Sequence, residues 1–139
     1  QHVQSENFDN LRAIAYATYY LATRNFDKGW ECIKYNTFSR QNGPLFSKGN
    51  TFLLIFQYKS KVQHIDFQGV IDKTRKKFSK KIPDYSEDNR QACLNLISCV
   101  EKFWKRENPL TIKQFVENCR LLTQRKWIEE ELTLLTKKG

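Results

Sequence analysis

The residues best equipped for chemistry in this chain are cationic. Between Asp66 and Lys81 stand Lys73, Arg75, Lys76, Lys77, Lys80 and Lys81, six positive charges in nine residues. Groups at that density repel one another and cost stability unless an anion compensates them, and a row of them can follow a phosphate backbone. Lys102, Lys105 and Arg106, and then Arg120, Arg125 and Lys126, add to the count further along. The whole chain has 24 Lys and Arg against 15 Asp and Glu in 139 residues, a net charge of +9 and a pI near 9.5. An excess of that size on a small domain points to a polyanion: nucleic acid, an acidic protein surface or anionic lipid. The bland alternative is a solvated, solubilising surface.

Other chemistries find little support. Cys32, Cys93, Cys99 and Cys119 include no C-x-x-C pair, and the histidines are His2 and His64 alone. Zinc needs close ligand pairs, so no metal or cofactor is expected. Cys93 and Cys99 would point to nearly opposite sides of one helix, which keeps them from bridging each other. Buried free thiols in an intracellular protein, nuclear or cytoplasmic, are the expectation, with two long-range disulfides in a secreted helical protein as the alternative. Glu129, Glu130 and Glu131 are adjacent and would point in different directions on a helix, which suits ion pairing better than catalysis. Phosphate-binding glycine loops, a nucleophile elbow and the H-E-x-x-H pattern are all missing, so a non-enzyme is expected.

The elements that would position these residues read as helices. Ser86–Lys105 is the clearest, with Cys93, Leu96, Ile97, Val100, Phe103 and Trp104 on one face and Ser86 as N-cap. We expect the rest of the fold to be organised around it. Asn7–Asn25 predicts a helix with Leu11, Ile14, Ala15, Thr18, Leu21 and Ala22 inward, and Tyr16, Tyr19 and Tyr20 on the rim. Phe26–Gly29 reads as a turn, Trp30–Phe38 as a short helix, and Ser39–Asn50 as a loop that leaves Arg40 and Lys48 available to a ligand. Thr51–Phe67 suits a buried strand or a helix; a lone strand lacks a pairing partner, so helix is preferred, with a short β-hairpin near 51–67 as the alternative. Asp66–Lys81 predicts a helix burying Phe67, Val70, Ile71, Thr74 and Phe78 beneath its basic residues. From Thr111 to Lys138 runs either one helix or two with a break near Thr123-Gln124, its second stripe being Trp127, Ile128, Glu131, Leu132 and Leu135.

The segment Lys126-Trp127-Ile128-Glu129-Glu130-Glu131-Leu132-Thr133-Leu134-Leu135 resembles the opening of the first helix of a Myb/SANT repeat. That family typically begins with a Trp, then an acidic cluster, then paired leucines. The resemblance covers about a dozen of the 139 residues. It implies a Myb-like repeat continuing in a longer parent chain. The DNA-reading helix of the family does not fall within these residues, so no recognition residue is carried over.

The expected fold is therefore all-α, a single domain of five or six helices, with no span long and apolar enough to cross a membrane and no signal peptide at Gln1–Gln4. The expected function is a non-catalytic module, or small subunit of a nucleoprotein complex, that grips DNA or RNA through its backbone. Binding of that kind is weakly sequence-specific and strongly salt-dependent. Other protein subunits would be its further partners. A helical protein-interaction scaffold using Phe46, Phe52, Tyr58 and the C-terminal leucines is the competing expectation, and a secreted helical signalling protein is the third.

Overall fold

Residues 51–67, where helix and strand readings compete, settle the architecture. In the computed structural model, which describes the backbone of residues 2–60 and 66–138 and the side chains of 7–60 and 66–137, residues 51–59 belong to the central helix and Phe67 opens the helix after it. That helix, Gly43–Lys59, is the third in chain order. The others are α1 His2–Ala22, α2 Phe26–Ile33, α4 Phe67–Lys77, α5 Glu87–Trp104, α6 Pro109–Asn118 and α7 Arg125–Lys138, with Gly43–Lys59 as α3. No strand or hairpin occurs among the described residues, and Val62, His64 and Ile65 lie outside them.

Helix α3 starts earlier than the sequence pattern suggests, and the loop expected over Ser39–Asn50 is largely helical. The Asn42 side chain accepts the Leu45 N–H, and Pro44 sits in the first turn, where its missing N–H costs nothing. Gly49 is no turn residue: a Cβ there would lie 2.3 Å from the Phe38 ring, so its role is close approach. Leu45, Phe46, Phe52, Leu54, Ile55 and Phe56 are all buried, on several sides of the helix. A helix apolar most of the way round belongs in the middle of a core. Helices α1 and α2 cover it on one flank, and α4 and α5 pack against it as well.

The expectation that α5 organises the fold therefore needs correction. Its Ser86 cap and its buried Cys93, Leu96, Ile97, Val100 and Phe103 are as anticipated, but a single apolar stripe marks a helix at the border of the core. Trp104, the last residue of that stripe, is 44% exposed beside the Phe67 ring.

Two further corrections concern the N-terminal half. Helix α1 buries Asn10, Ala13, Ile14, Ala17 and Leu21, while Leu11, Ala15, Thr18 and Ala22 face outward. Alanines alternate around this helix, so either face could have gone inside, and contact with α2 and α3 chose. The turn expected at Phe26–Gly29 is the first turn of α2, capped by the Asn25 side chain at Lys28 N. Gly29 lets α2 settle on α3, since a Cβ would meet the Phe56 ring at 2.3 Å.

At the far end, the run from Thr111 is two helices, which brings the total to seven among the described residues. The break lies where the sequence suggested it, with Gln124 in the left-handed region at φ 55°. Arg125 holds it, donating to the Val116 and Cys119 carbonyls at the end of α6. Helix α7 then buries Trp127, Ile128, Glu131 and Leu132 as expected. Trp127 meets Phe103 at 6.1 Å and Tyr58 at 6.4 Å, both edge-on, so the tryptophan of the Myb-like segment lies in this chain's own core. Among the described residues no helix is long and apolar enough to cross a membrane.

Candidate nucleic-acid interface

Helix α4 sorts its side chains by direction. Phe67, Ile71 and Thr74, with Phe78 just beyond, point into the core. Towards α5, Gln68 and Arg75 both reach Glu101, at 2.7 and 2.8 Å. Burial raises the Glu101 pKa, but the bonds from Gln68 and Arg75 outweigh it and hold the carboxyl below its usual value. Towards α3, Lys77 donates to the buried Asn50 Oδ1 at 3.0 Å. Desolvation there, with the neighbouring Lys73 charge, lowers the Lys77 pKa. Lys73 and Lys76 are left exposed on the crest, and Lys80 and Lys81 extend it past the helix end. Among the described residues none of these four lies within 4 Å of a carboxylate.

Arg40 fixes the end of this crest from beneath. Its guanidinium donates to the carbonyls of Lys77, Lys80 and Lys81 at 2.6, 3.3 and 2.8 Å, and stands 5.1 Å from the Phe46 ring. It is a structural clamp, not the freely available cation expected from sequence. Arg90 adds a bond to the Phe78 carbonyl at 2.7 Å. The chain leaving α4 is therefore held in place while its two lysine side chains stay in solvent. No local pattern near Arg40 could have shown this, because its acceptors are about forty residues away.

The remaining cationic candidates do not join the crest. Arg75 is engaged with Glu101 and Asp72, Lys105 lies 3.6 Å from Glu101, and Lys102 pairs with Glu107 at 3.5 Å and covers the Phe115 ring. Lys102, Lys105 and Arg106 occupy the opposite end of α5, about 25 Å from its N-terminus by helix rise. Arg106 is exposed and caps α5 at φ 55°. Arg125 holds α6 carbonyls, Arg120 is exposed in the α6–α7 connection, and Lys126 lies on the outer side of α7 beside Glu129 and Glu130. Twelve candidates thus resolve into one ridge and several scattered or paired groups.

A second charged cluster has partners that the sequence reading did not identify. Glu131, 5% exposed, accepts from Arg24 at 2.6 Å and from Lys59 at 3.0 Å, while Glu130 meets the same Arg24 at 3.2 Å. Arg24 ends α1 in the left-handed conformation at φ 57°, a place usually held by glycine. The guanidinium explains the exception, since it ties α1 to α7 and glycine could not. Only the expectation that these glutamates form ion pairs was readable beforehand.

The thiols offer no nucleophile. All four cysteines are free, and burial pushes Cys93 up to about 11 and Cys99 to about 12. Cys93 lines a cleft of about 380 Å³ between the start of α3 and α5, with Ser47, Thr51 and Asn89. Tyr85 approaches its sulfur at 3.7 Å. Both thiols are protonated at neutral pH, which leaves neither as a thiolate nucleophile. Among the described residues no three His, Cys, Asp or Glu side chains are grouped to hold a metal ion. Of the protein-interaction anchors expected from sequence, Phe46 and Phe52 are buried and Tyr58 is half-buried in the aromatic cluster. The chain is matched by no known family model, no curated protein and no solved structure, so its geometry is the ground for a functional reading.

Proposed function

We propose that the chain is a non-catalytic, helical nucleic-acid-binding module that grips the phosphate backbone with Lys73, Lys76, Lys80 and Lys81. One observation carries this reading. The acidic residues near α4 neutralise Arg75 and leave the adjacent lysine crest uncompensated, on a backbone that Arg40 and Arg90 hold rigid. Like charges three and four residues apart on a helix oppose folding by a few tenths of a kcal/mol per pair, a cost that a bound polyanion reverses. Lys73 and Lys76 stand about one helical turn apart on α4, and Lys80 and Lys81 continue the row past its end, an arrangement suited to successive phosphates. Contact made mainly to the backbone would be weakly sequence-specific.

The test is binding to labelled single- and double-stranded DNA and RNA at two salt concentrations. Affinity should fall steeply with salt, and Lys73→Glu with Lys76→Glu should weaken binding and flatten the salt slope by about one per lost contact. These two residues are better targets than Lys77, whose bond to Asn50 is part of the fold. Affinity that stays flat as salt rises would overturn the reading. A protein-interaction scaffold stands as the second reading, favoured by the exposed apolar face described next.

A further inference from the structure

Eight large apolar side chains stay exposed among the described residues, and five of them, Phe8, Leu11, Tyr16, Tyr19 and Tyr35, belong to α1 and the end of α2. On α1 they are not scattered. Phe8, Leu11, Ala15, Thr18 and Ala22 recur at intervals of three and four along an exposed flank, about 120° round the helix from the buried Asn10, Ala13, Ile14, Ala17 and Leu21, with Tyr19 alongside. Three-four spacing is the seam of a helix pair, here with nothing among the described residues covering it. Phe8 is 65% exposed, Leu11 56% and Tyr19 61%, so the seam is fully open rather than half-shielded.

The size and charge of the seam point to one occupant. Its N-terminal half carries the large Phe8 and Leu11, and its C-terminal half the small Ala15, Thr18 and Ala22. Laid antiparallel on itself about a point between Leu11 and Ala15, the seam sets Phe8 against Thr18 of the copy and Leu11 against Ala15, large against small at both layers, with Ala22 beyond the pairing. A parallel pair would place Phe8 on Phe8 and leave the small half gapped. Such self-complementarity is the requirement of a two-fold interface. Charge agrees: within α1 Arg12 is the only Lys or Arg, against Glu6 and Asp9, in a chain of net charge +9. This face can meet its own copy without the repulsion that the lysine crest would bring, and it offers a polyanion nothing.

We propose that the outer face of α1 is a self-association surface that receives α1 of a second copy in antiparallel orientation. Covering Phe8, Leu11 and Tyr19 in both copies removes on the order of 800 Å² from water, which is the range of weak, concentration-dependent pairs. The inference stands apart from nucleic-acid binding, because the seam and the crest share no residue.

Sedimentation velocity of the chain over a concentration series, without nucleic acid, tests it. A shift from monomer to dimer is expected, and Ala15→Arg, an exposed site whose change leaves the monomer's core intact, should abolish it. Orientation is read from disulfide formation: Leu11→Cys copies should crosslink to Ala15→Cys copies, while Phe8→Cys copies should not crosslink to themselves above the unsubstituted chain. A monomer at every concentration, or efficient Phe8→Cys self-crosslinking, would overturn the proposal.

Discussion

Helices α4 and α7 each carry a run of like charges, and the fold treats the two runs in opposite ways. Glu129–Glu131 begins as three adjacent carboxylates and ends with Glu131 buried between Arg24 and Lys59, a junction of α1, α3 and α7. The lysines of α4 meet one carboxylate region, at Glu101, and Arg75 takes it. Lys73, Lys76, Lys80 and Lys81 remain in water. The lesson is that charge density alone does not separate a binding face from a structural joint. Which charges the fold itself neutralises does separate them.

Four measurements probe that contrast. The largest effect should come from Glu131→Gln, which leaves Arg24 and Lys59 facing an uncharged group in a buried corner. Unfolding by urea should show a loss of about 3 kcal/mol, and an effect under 0.5 or so would mean that α7 is held by Trp127 and Ile128 alone.

Next is alkaline pH. Burial, then the charge of Glu131, pushes Tyr58 up from 10.0 to about 12, and burial pushes Cys93 from 9.0 to about 11 and Cys99 to about 12. All three folded-state values lie above the unfolded ones, so the stability they contribute is complete below pH 9 and is lost as pH rises towards 12. The slope is about 1.4 kcal/mol per pH unit for each proton concerned, which makes the loss at pH 10 about 3 kcal/mol. Lys77, lowered by desolvation and Lys73, works in the opposite direction as a single group. Urea midpoints that are level from pH 8 to 10 would show that these groups are less enclosed than their surroundings imply.

The crest should behave in the reverse manner. Lys73→Glu with Lys76→Glu ought to leave urea stability within about 0.5 kcal/mol while lowering nucleic-acid affinity roughly tenfold or more. A large stability loss with unchanged binding would invert the comparison. The smallest effect concerns Arg106, one of two arginines that end helices in the left-handed region. Arg106 is exposed with no carboxylate within 4 Å among the described residues, so Arg106→Gly should raise stability by about 0.5 kcal/mol. Arg24→Gly should lower it despite the same backbone relief, because the ties to Glu130 and Glu131 go with the side chain.

What could be read in advance follows the range of the forces involved. Ser86 as a cap, the stripe Cys93–Phe103, the burial of Phe67, Ile71, Thr74 and Phe78, and the second stripe from Trp127 depend on contacts within a turn or two, which periodicity reports. Gly43, Pro44 and Gly49 misled because the same residue types serve turns, first helical turns and close helix contacts, and only neighbours such as Phe38 distinguish them. The inward face of α1 was misplaced for a similar reason. Its alanines allow two faces, and α2 and α3 selected the one holding Ala13 and Ala17.

The twelve cationic residues show the same division. That Lys73–Lys81 forms a dense basic strip is a property of the sequence, as is the all-helical character of the chain, since both follow from residue type and local spacing. The tertiary structure alone decided that Arg75, Lys102, Lys105 and Arg125 have internal partners, that Arg40 clamps the end of α4, and that Glu131 closes a buried corner with Arg24 and Lys59. It also decided that α3, not α5, is the centre. Ion pairs and burial join groups tens of residues apart, and the energy of each depends on distance and desolvation, which exist only once the helices have packed.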